Sequence, residues 1–192
     1  MSYETYTTEA LVCGSFDRNT ADRSFLLFTR EAGMLYADAR SVREERSRQR
    51  FALQDFSLLR VSLVKGKRGW RVGSIEPLTN YYQEAVDKAA RGSVVALCRL
   101  LRRFVKGEEA NQELFDLAIE SLAVVRGVVA ERVFTETVVS VRLLALLGYV
   151  DQKKIPEVIL KTEIGDLSTQ MDSKHKRIVD KLYTHAVHMS HL

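Results

Sequence analysis

Cysteine is almost missing from this chain: among 192 residues only Cys13 and Cys98 carry a thiol. Two thiols this far apart exclude the disulfide framework of a small secreted domain, and they fall short of the roughly four ligands a structural zinc needs. Each lies in an apolar context, so both are expected to be reduced and buried. No apolar run reaches the ~18–20 residues that span a bilayer. The opening MSYETYTTEALVCG places acidic Glu4 where a secretory signal carries basic residues, which predicts no leader and a cytoplasmic compartment. No G-x-x-x-x-G-K-S/T loop and no G-x-S-x-G elbow occurs, so two common catalytic frameworks are missing. Of the four histidines, His185, His188 and His191 recur near the C-terminus without a neighbouring cysteine or an H-E-x-x-H pattern, and His175 stands further back. Asp17, Asp22 and Asp38 are scattered rather than clustered as nuclease ligands. These gaps predict a protein that is not an enzyme and holds no metal or cofactor.

What is present is positive charge, unevenly placed. The chain carries a net +4, yet residues 40–71 hold ten Lys/Arg against Glu44, Glu45 and Asp55, a local balance of +7. Arg40, Arg43, Arg46, Arg48 and Arg50 fall in a segment without clear periodicity, expected to be a mobile loop. Lys65, Lys67, Arg68 and Arg71 flank a glycine-bearing hairpin connection. A dense cationic ribbon on a β-rich half is the footprint of a protein that tracks phosphates. Ser41 and Ser47 could add hydrogen bonds to phosphate oxygens, and contacts of this kind carry no base information. A second basic stretch runs from Lys88 to Lys106 without an acid. Within it Arg99, Arg102, Arg103 and Lys106 have the i, i+3, i+4, i+7 spacing of one helix face. That face either extends a nucleic-acid path or is simply solvated. Trp70 either offers a base a stacking plane or, sharing its strand face with Val72, belongs to a core; the alternation favours the core.

The pattern of apolar residues divides the chain. Thr5–Phe16, Ser24–Thr29, Met34–Ala39, Leu58–Val64 and Trp70–Ile75 read as five short strands, with Gly33 supplying a turn residue that tolerates positive φ. Five strands joined by hairpins predict a small barrel of the oligonucleotide-binding (OB) type over residues 1–77. After Pro77 the period becomes about 3.6. Helices are predicted over Tyr81–Arg91, Ser93–Val105, Asn111–Val129, Thr135–Leu147, Ile155–Glu163 and Asp172–Met189, with Gly92, Gly107 and Gly148 as terminators. The expected class is α+β, a barrel followed by a helical domain over residues 78–192.

Several local strings add to this outline. They are Leu27-Phe28-Thr29-Arg30-Glu31-Ala32-Gly33, then Ala39-Arg40 with Glu45-Arg46-Ser47-Arg48, then Ala52-Leu53-Gln54-Asp55-Phe56, and Leu143-Leu144-Ala145-Leu146-Leu147-Gly148-Tyr149. In this order the chain resembles the RecO recombination mediators of bacteria, with Asp55 where the family usually has proline. The resemblance implies an OB fold followed by helices. It also implies binding of single- and double-stranded DNA, annealing of complementary strands, and help in loading RecA onto strands coated by single-strand-binding protein, with RecR as partner. Many members carry a zinc module of two C-x-x-C pairs after the L-G-Y helix. Residues 150–161 contain no cysteine, so no zinc is expected here.

Family members also dock the acidic, apolar tail of single-strand-binding protein on the helical domain. The nearest candidates in this chain are Arg132, Arg142, Leu143, Leu146 and Tyr149. Thr137 and Val138 stand where the family tends to have basic residues, and Leu143 and Leu146 also suit an ordinary helical core.

Overall fold

The computed structural model describes residues 5–47 and 49–189. Five strands open the chain: β1 (Thr5–Asp17), β2 (Arg23–Thr29), β3 (Gly33–Ala39), β4 (Ser57–Gly66) and β5 (Gly69–Asn80). They close into a barrel in the order β1-β2-β3-β5-β4. Closure depends on the length of β1, whose first half pairs with β4 and whose second half pairs with β2. The register slips between Val12 and Gly14, and such a bulge bends a strand enough for it to serve two neighbours. β5 continues past Pro77 to Asn80. The ladder with β4 shifts between Leu58 and Leu59, beside the proline that cannot donate to it.

Both faces of β1 and β2 are buried, which explains why ALVC and SFLLF read as near-continuous apolar runs. Val12, Phe25, Leu27, Leu35, Leu59, Val61, Leu63 and Trp70 fill the barrel. The opposite parity, including Leu11, Cys13, Leu26, Phe28, Met34 and Leu58, joins the helical core.

A short helix α1 (Gln49–Ala52) lies between β3 and β4. The second half contains α2 (Lys88–Phe104), α3 (Gln112–Val125), α4 (Arg132–Leu146), α5 (Glu157–Lys161), α6 (Leu167–Gln170) and α7 (Ser173–Met189). The expected helix break at Gly92 does not exist. Residues 81–84 form a turn, Asp87 caps α2 by accepting from the Ala90 N–H at 2.7 Å, and the helix runs through Gly92. Glycine in a helix interior costs about 1 kcal/mol against alanine, too little to stop a helix whose Val94, Leu97, Leu101 and Phe104 bury at ~1.5–3 kcal/mol each. The helix expected to reach Val129 ends at Val125; Arg126 caps it, its N–H donating to the Leu122 carbonyl and its guanidinium to Glu84 and Thr79 Oγ1.

Gly33 is where the two halves meet. It has φ +65, and a β-carbon there would collide with the backbone of Gly107 and Glu109. The Met34 N–H donates to the Gly107 carbonyl at 2.9 Å across the same junction.

Candidate nucleic-acid interface

The basic segment after β3 is not the unstructured loop its sequence suggested. Val42 and Leu53 insert into the barrel core, 2% and 4% exposed. The Ser41 N–H donates to Asp22 Oδ1 at 2.8 Å, and the Arg43 N–H to the Ala21 carbonyl at 3.0 Å. Hydrogen bonds from the Asn19 side chain and then from Ser41 hold the Asp22 carboxyl below the usual range. The segment is therefore tied to the β1–β2 turn while its arginines point outward.

Arg40, Arg43, Arg46 and Arg50 are all exposed; Arg48 lies outside the described residues. Arg43 is engaged, 3.4 Å from Asp17 and donating to the Asn19 carbonyl at 2.8 Å. Arg50 lies over the exposed Phe51 ring at 4.9 Å. Among the described residues Arg40, Arg46 and Arg50 form no ion pair. Arg60, nearby in sequence, is different: Glu76 at 3.0 Å and Glu9 at 3.9 Å flank it.

At the β4–β5 hairpin Lys67 and Arg68 are exposed at the tip, without an ion pair to a described residue. Lys65 reaches Glu108 at 3.5 Å and sits 4.8 Å over Trp70. Trp70 itself is only 7% exposed, with Tyr6 edge-on at 5.6 Å, so it is core and offers no stacking plane. Arg71, half-buried, stands opposite Asp38 where β3 and β5 run parallel.

Lys106 is exposed just past the end of α2 and donates to the Arg102 carbonyl at 3.3 Å, while Arg99, Arg102 and Arg103 share the exposed side of that helix. That side reaches the barrel, since a β-carbon at Gly14 would lie 3.3 Å from the Arg102 Cζ. The Arg102 guanidinium thus lies directly against the outer surface of β1. Two basic stretches far apart in sequence border one barrel surface.

That surface also carries what sequence reasoning missed. Phe16 and Tyr36 are 48% and 55% exposed, with ring centroids 5.6 Å apart in an edge-to-face pair. Alternation with Leu35 marks Tyr36 as outward, but plain alternation would place Phe16 inward with Val12; the bulge between Val12 and Gly14 turns it out.

The side chains expected to receive a partner's tail have other roles. Arg142, 7% exposed, donates to the carbonyls of Ile159, at 2.7 Å, and Thr162; its burial lowers its basicity. Leu143 is fully buried and has no surface to offer, a correction to the expected docking role. Arg132 staples the α3–α4 connection through the Val125 and Gly127 carbonyls, each at 2.6 Å. Leu146 packs against the helical core, while Tyr149 is exposed and edge-on to Phe104 at 4.9 Å.

Burial pushes the Cys13 thiol up to about 12 and raises Cys98 as well, so neither is a nucleophile. His175 lies 2.8 Å from Asp172 at the start of α7, His185 and His188 are exposed, and His191 lies outside the described residues. Among the described residues, no three His, Cys, Asp or Glu groups converge as a metal cage, and no helix is long and apolar enough to cross a membrane.

Comparison with known proteins agrees with this architecture. Residues 1–81 match the family described as Recombination protein O N terminal, and residues 87–150 match Recombination protein O C terminal. The chain belongs to the RecO family. The DNA repair protein RecO of Desulfitobacterium hafniense is 30% identical over 144 residues, covering 75% of this chain and 52% of that protein. That of Myxococcus xanthus is 31% identical over 115 residues, 59% of this chain and 47% of the other. That of Heliobacterium modesticaldum is 29% identical over 164 residues, 84% and 56%. The chain spans about half the length of the curated RecO relatives it matches. A closed five-stranded barrel followed by helices fits the two-part RecO family.

Proposed function

We propose that this RecO-family chain binds single- and double-stranded DNA through phosphates, anneals complementary strands, and assists RecA loading onto strands coated by single-strand-binding protein, together with RecR. It works by binding and exchange rather than by breaking bonds, in the cytoplasm. Residues 1–77 supply the main polynucleotide track and residues 78–192 extend it along α2 and meet protein partners.

One observation carries the reading: Arg40, Arg46, Arg50, Lys67 and Arg68 stand exposed on the barrel with no ion pair among the described residues. Unpaired guanidiniums on a rigid frame neutralise phosphates without first breaking an internal salt bridge, and they let two anionic strands approach each other. Arg43, Lys65, Arg71, Arg99, Arg102 and Arg103 flank this set. For the acidic tail of single-strand-binding protein, the best fit is the groove of about 430 Å³ between α2, α4 and α7. There Arg99 and Arg103 stand beside Leu100, Val133 and Tyr183, pairing charge with apolar surface.

Fluorescence anisotropy with labelled single strands across a salt series tests the track. Changing Arg40, Arg46 and Arg50 together to Ala is expected to weaken binding at least about tenfold. It should also make the salt slope shallower by about 2, the loss of three phosphate contacts at ~0.7 each. Unchanged affinity and slope would remove the segment from the mechanism. A barrel that binds DNA but neither anneals strands nor engages RecR would be a plain nucleic-acid-binding module.

A further inference from the structure

We propose that Phe16 and Tyr36 form a stacking platform for unpaired bases, bordered by Arg102 of α2 and the arginines after β3. The inference rests on the chain being a polynucleotide binder. It adds that the outer face of β1–β2–β3 prefers single strands.

The strand register fixes the geometry. Tyr36 lies opposite Leu26, and Leu26 opposite Gly14, so these three form one row across the sheet. Asp38, Ser24 and Phe16 form the adjacent row. Lower rows on this face, including Phe28 and Met34, are sealed beneath the helices; the upper two rows are where the rings emerge. Two adjacent aromatics about half in water are an unusual way to end a face whose other large apolar groups are covered.

Charge around the rings suits a strand whose phosphates run beside its bases. The nearby carboxylates are already matched: Asp38 takes Arg18 at 3.1 Å and Ser24 Oγ at 2.8 Å, and Asp17 takes Arg23 at 2.7 Å and Arg43 at 3.4 Å. On one flank the exposed Arg102 guanidinium occupies the space Gly14 leaves open, in the row of Tyr36. At the other end Arg40 directly follows β3 and forms no ion pair with a described residue. Phosphates can therefore lie on Arg40 and Arg102 while bases meet the rings. Stacking on an aromatic plane tolerates any base but needs the base unpaired, since a duplex hides its base faces.

The test compares the unaltered chain with the double variant Phe16→Leu/Tyr36→Leu, which keeps apolar bulk and removes both rings. Affinity is measured for a short oligodeoxythymidine and for a duplex of equal length, with thermal melting alongside. The expected result is a loss of about tenfold or more for the single strand, a change under about twofold for the duplex, and a nearly unchanged melting temperature. Photocrosslinking of the same oligonucleotide carrying iodouracil should label peptides containing Phe16 or Tyr36. Equal losses on both ligands, undiminished single-strand binding, or crosslinks confined to other peptides would each overturn the platform. Should the unaltered chain and the double variant bind the single strand equally and with a normal salt slope, only the platform fails. If the unaltered chain binds neither DNA, the polynucleotide reading fails with it.

Discussion

Arg40 and Arg46 of the barrel half and Arg132 and Arg142 of the helical half are chemically identical and do opposite work. Arg40 and Arg46 stand in water without an ion pair among the described residues, whereas Arg132 and Arg142 point inward and donate to backbone carbonyls left open where helices end. A guanidinium has five donors and no acceptor, so it suits either an external phosphate or an internal carbonyl cluster. What separates the two cases is whether the fold presents open carbonyls within reach. Around residues 40–46 the turns satisfy their own backbone, through Ser41 to Asp22 and Arg43 to Ala21. The Arg40 and Arg46 side chains are left over for a ligand, whereas Arg43 is taken by the Asn19 carbonyl and Asp17.

Arg142→Leu should break this contrast most severely. It leaves the Ile159 and Thr162 carbonyls without a donor, and unsatisfied buried groups cost ~1–3 kcal/mol each, so a loss of about 3 kcal/mol is expected in chemical denaturation. DNA affinity, measured well below the melting transition, should not change. Substituting Arg40 and Arg46 by Ala should do the reverse, lowering DNA affinity several-fold while stability stays within about 0.5 kcal/mol. If both pairs of measurements moved together, the division of labour would be wrong.

Smaller changes sharpen the same comparison. Gly92→Ala should stabilise the helical half by about 0.5–1 kcal/mol, since no neighbouring side chain or other part of the fold approaches that face of α2 and alanine is the better helix former. A destabilised variant would mean that α2 is not continuous there. The smallest effect concerns pH. Asp22 has its carboxyl lowered by Asn19 and Ser41, so its hold on the basic segment is full above the ordinary carboxylate range and fades as pH falls below 3.8. Hydrogen exchange at the Ser41 amide should accelerate on acidification, and Asp22→Ala should show the faster exchange already at neutral pH.

Much of the barrel was legible from residue pattern alone. All five strands appear within a few residues of their expected spans, and Gly33 takes the positive φ its turn required. Helix limits were harder, because Gly92 is a terminator only by habit. The Asp87 cap and the buried stripe of α2 outweigh it. The cationic residues of the candidate site were visible as charge, but their availability was not. Arg60 and Arg46 look alike in sequence, yet Glu9 and Glu76 flank the first and no carboxylate pairs with the second among the described residues. The aromatic pair was missed because Phe16 and Tyr36 are twenty residues apart and meet only through strand pairing.

Composition and period determined the class of this molecule: a five-stranded front half, a helical back half and an excess of positive charge between residues 40 and 71. These follow from local rules, since alternation of two or 3.6 residues decides which faces can be buried. Tertiary structure decided which guanidiniums remain available, that Trp70 turns inward while Phe16 and Tyr36 turn out, and that α2 lays Arg102 against Gly14. Those outcomes depend on strand register and helix docking, which bring distant residues within a few ångströms and leave no trace in neighbouring sequence.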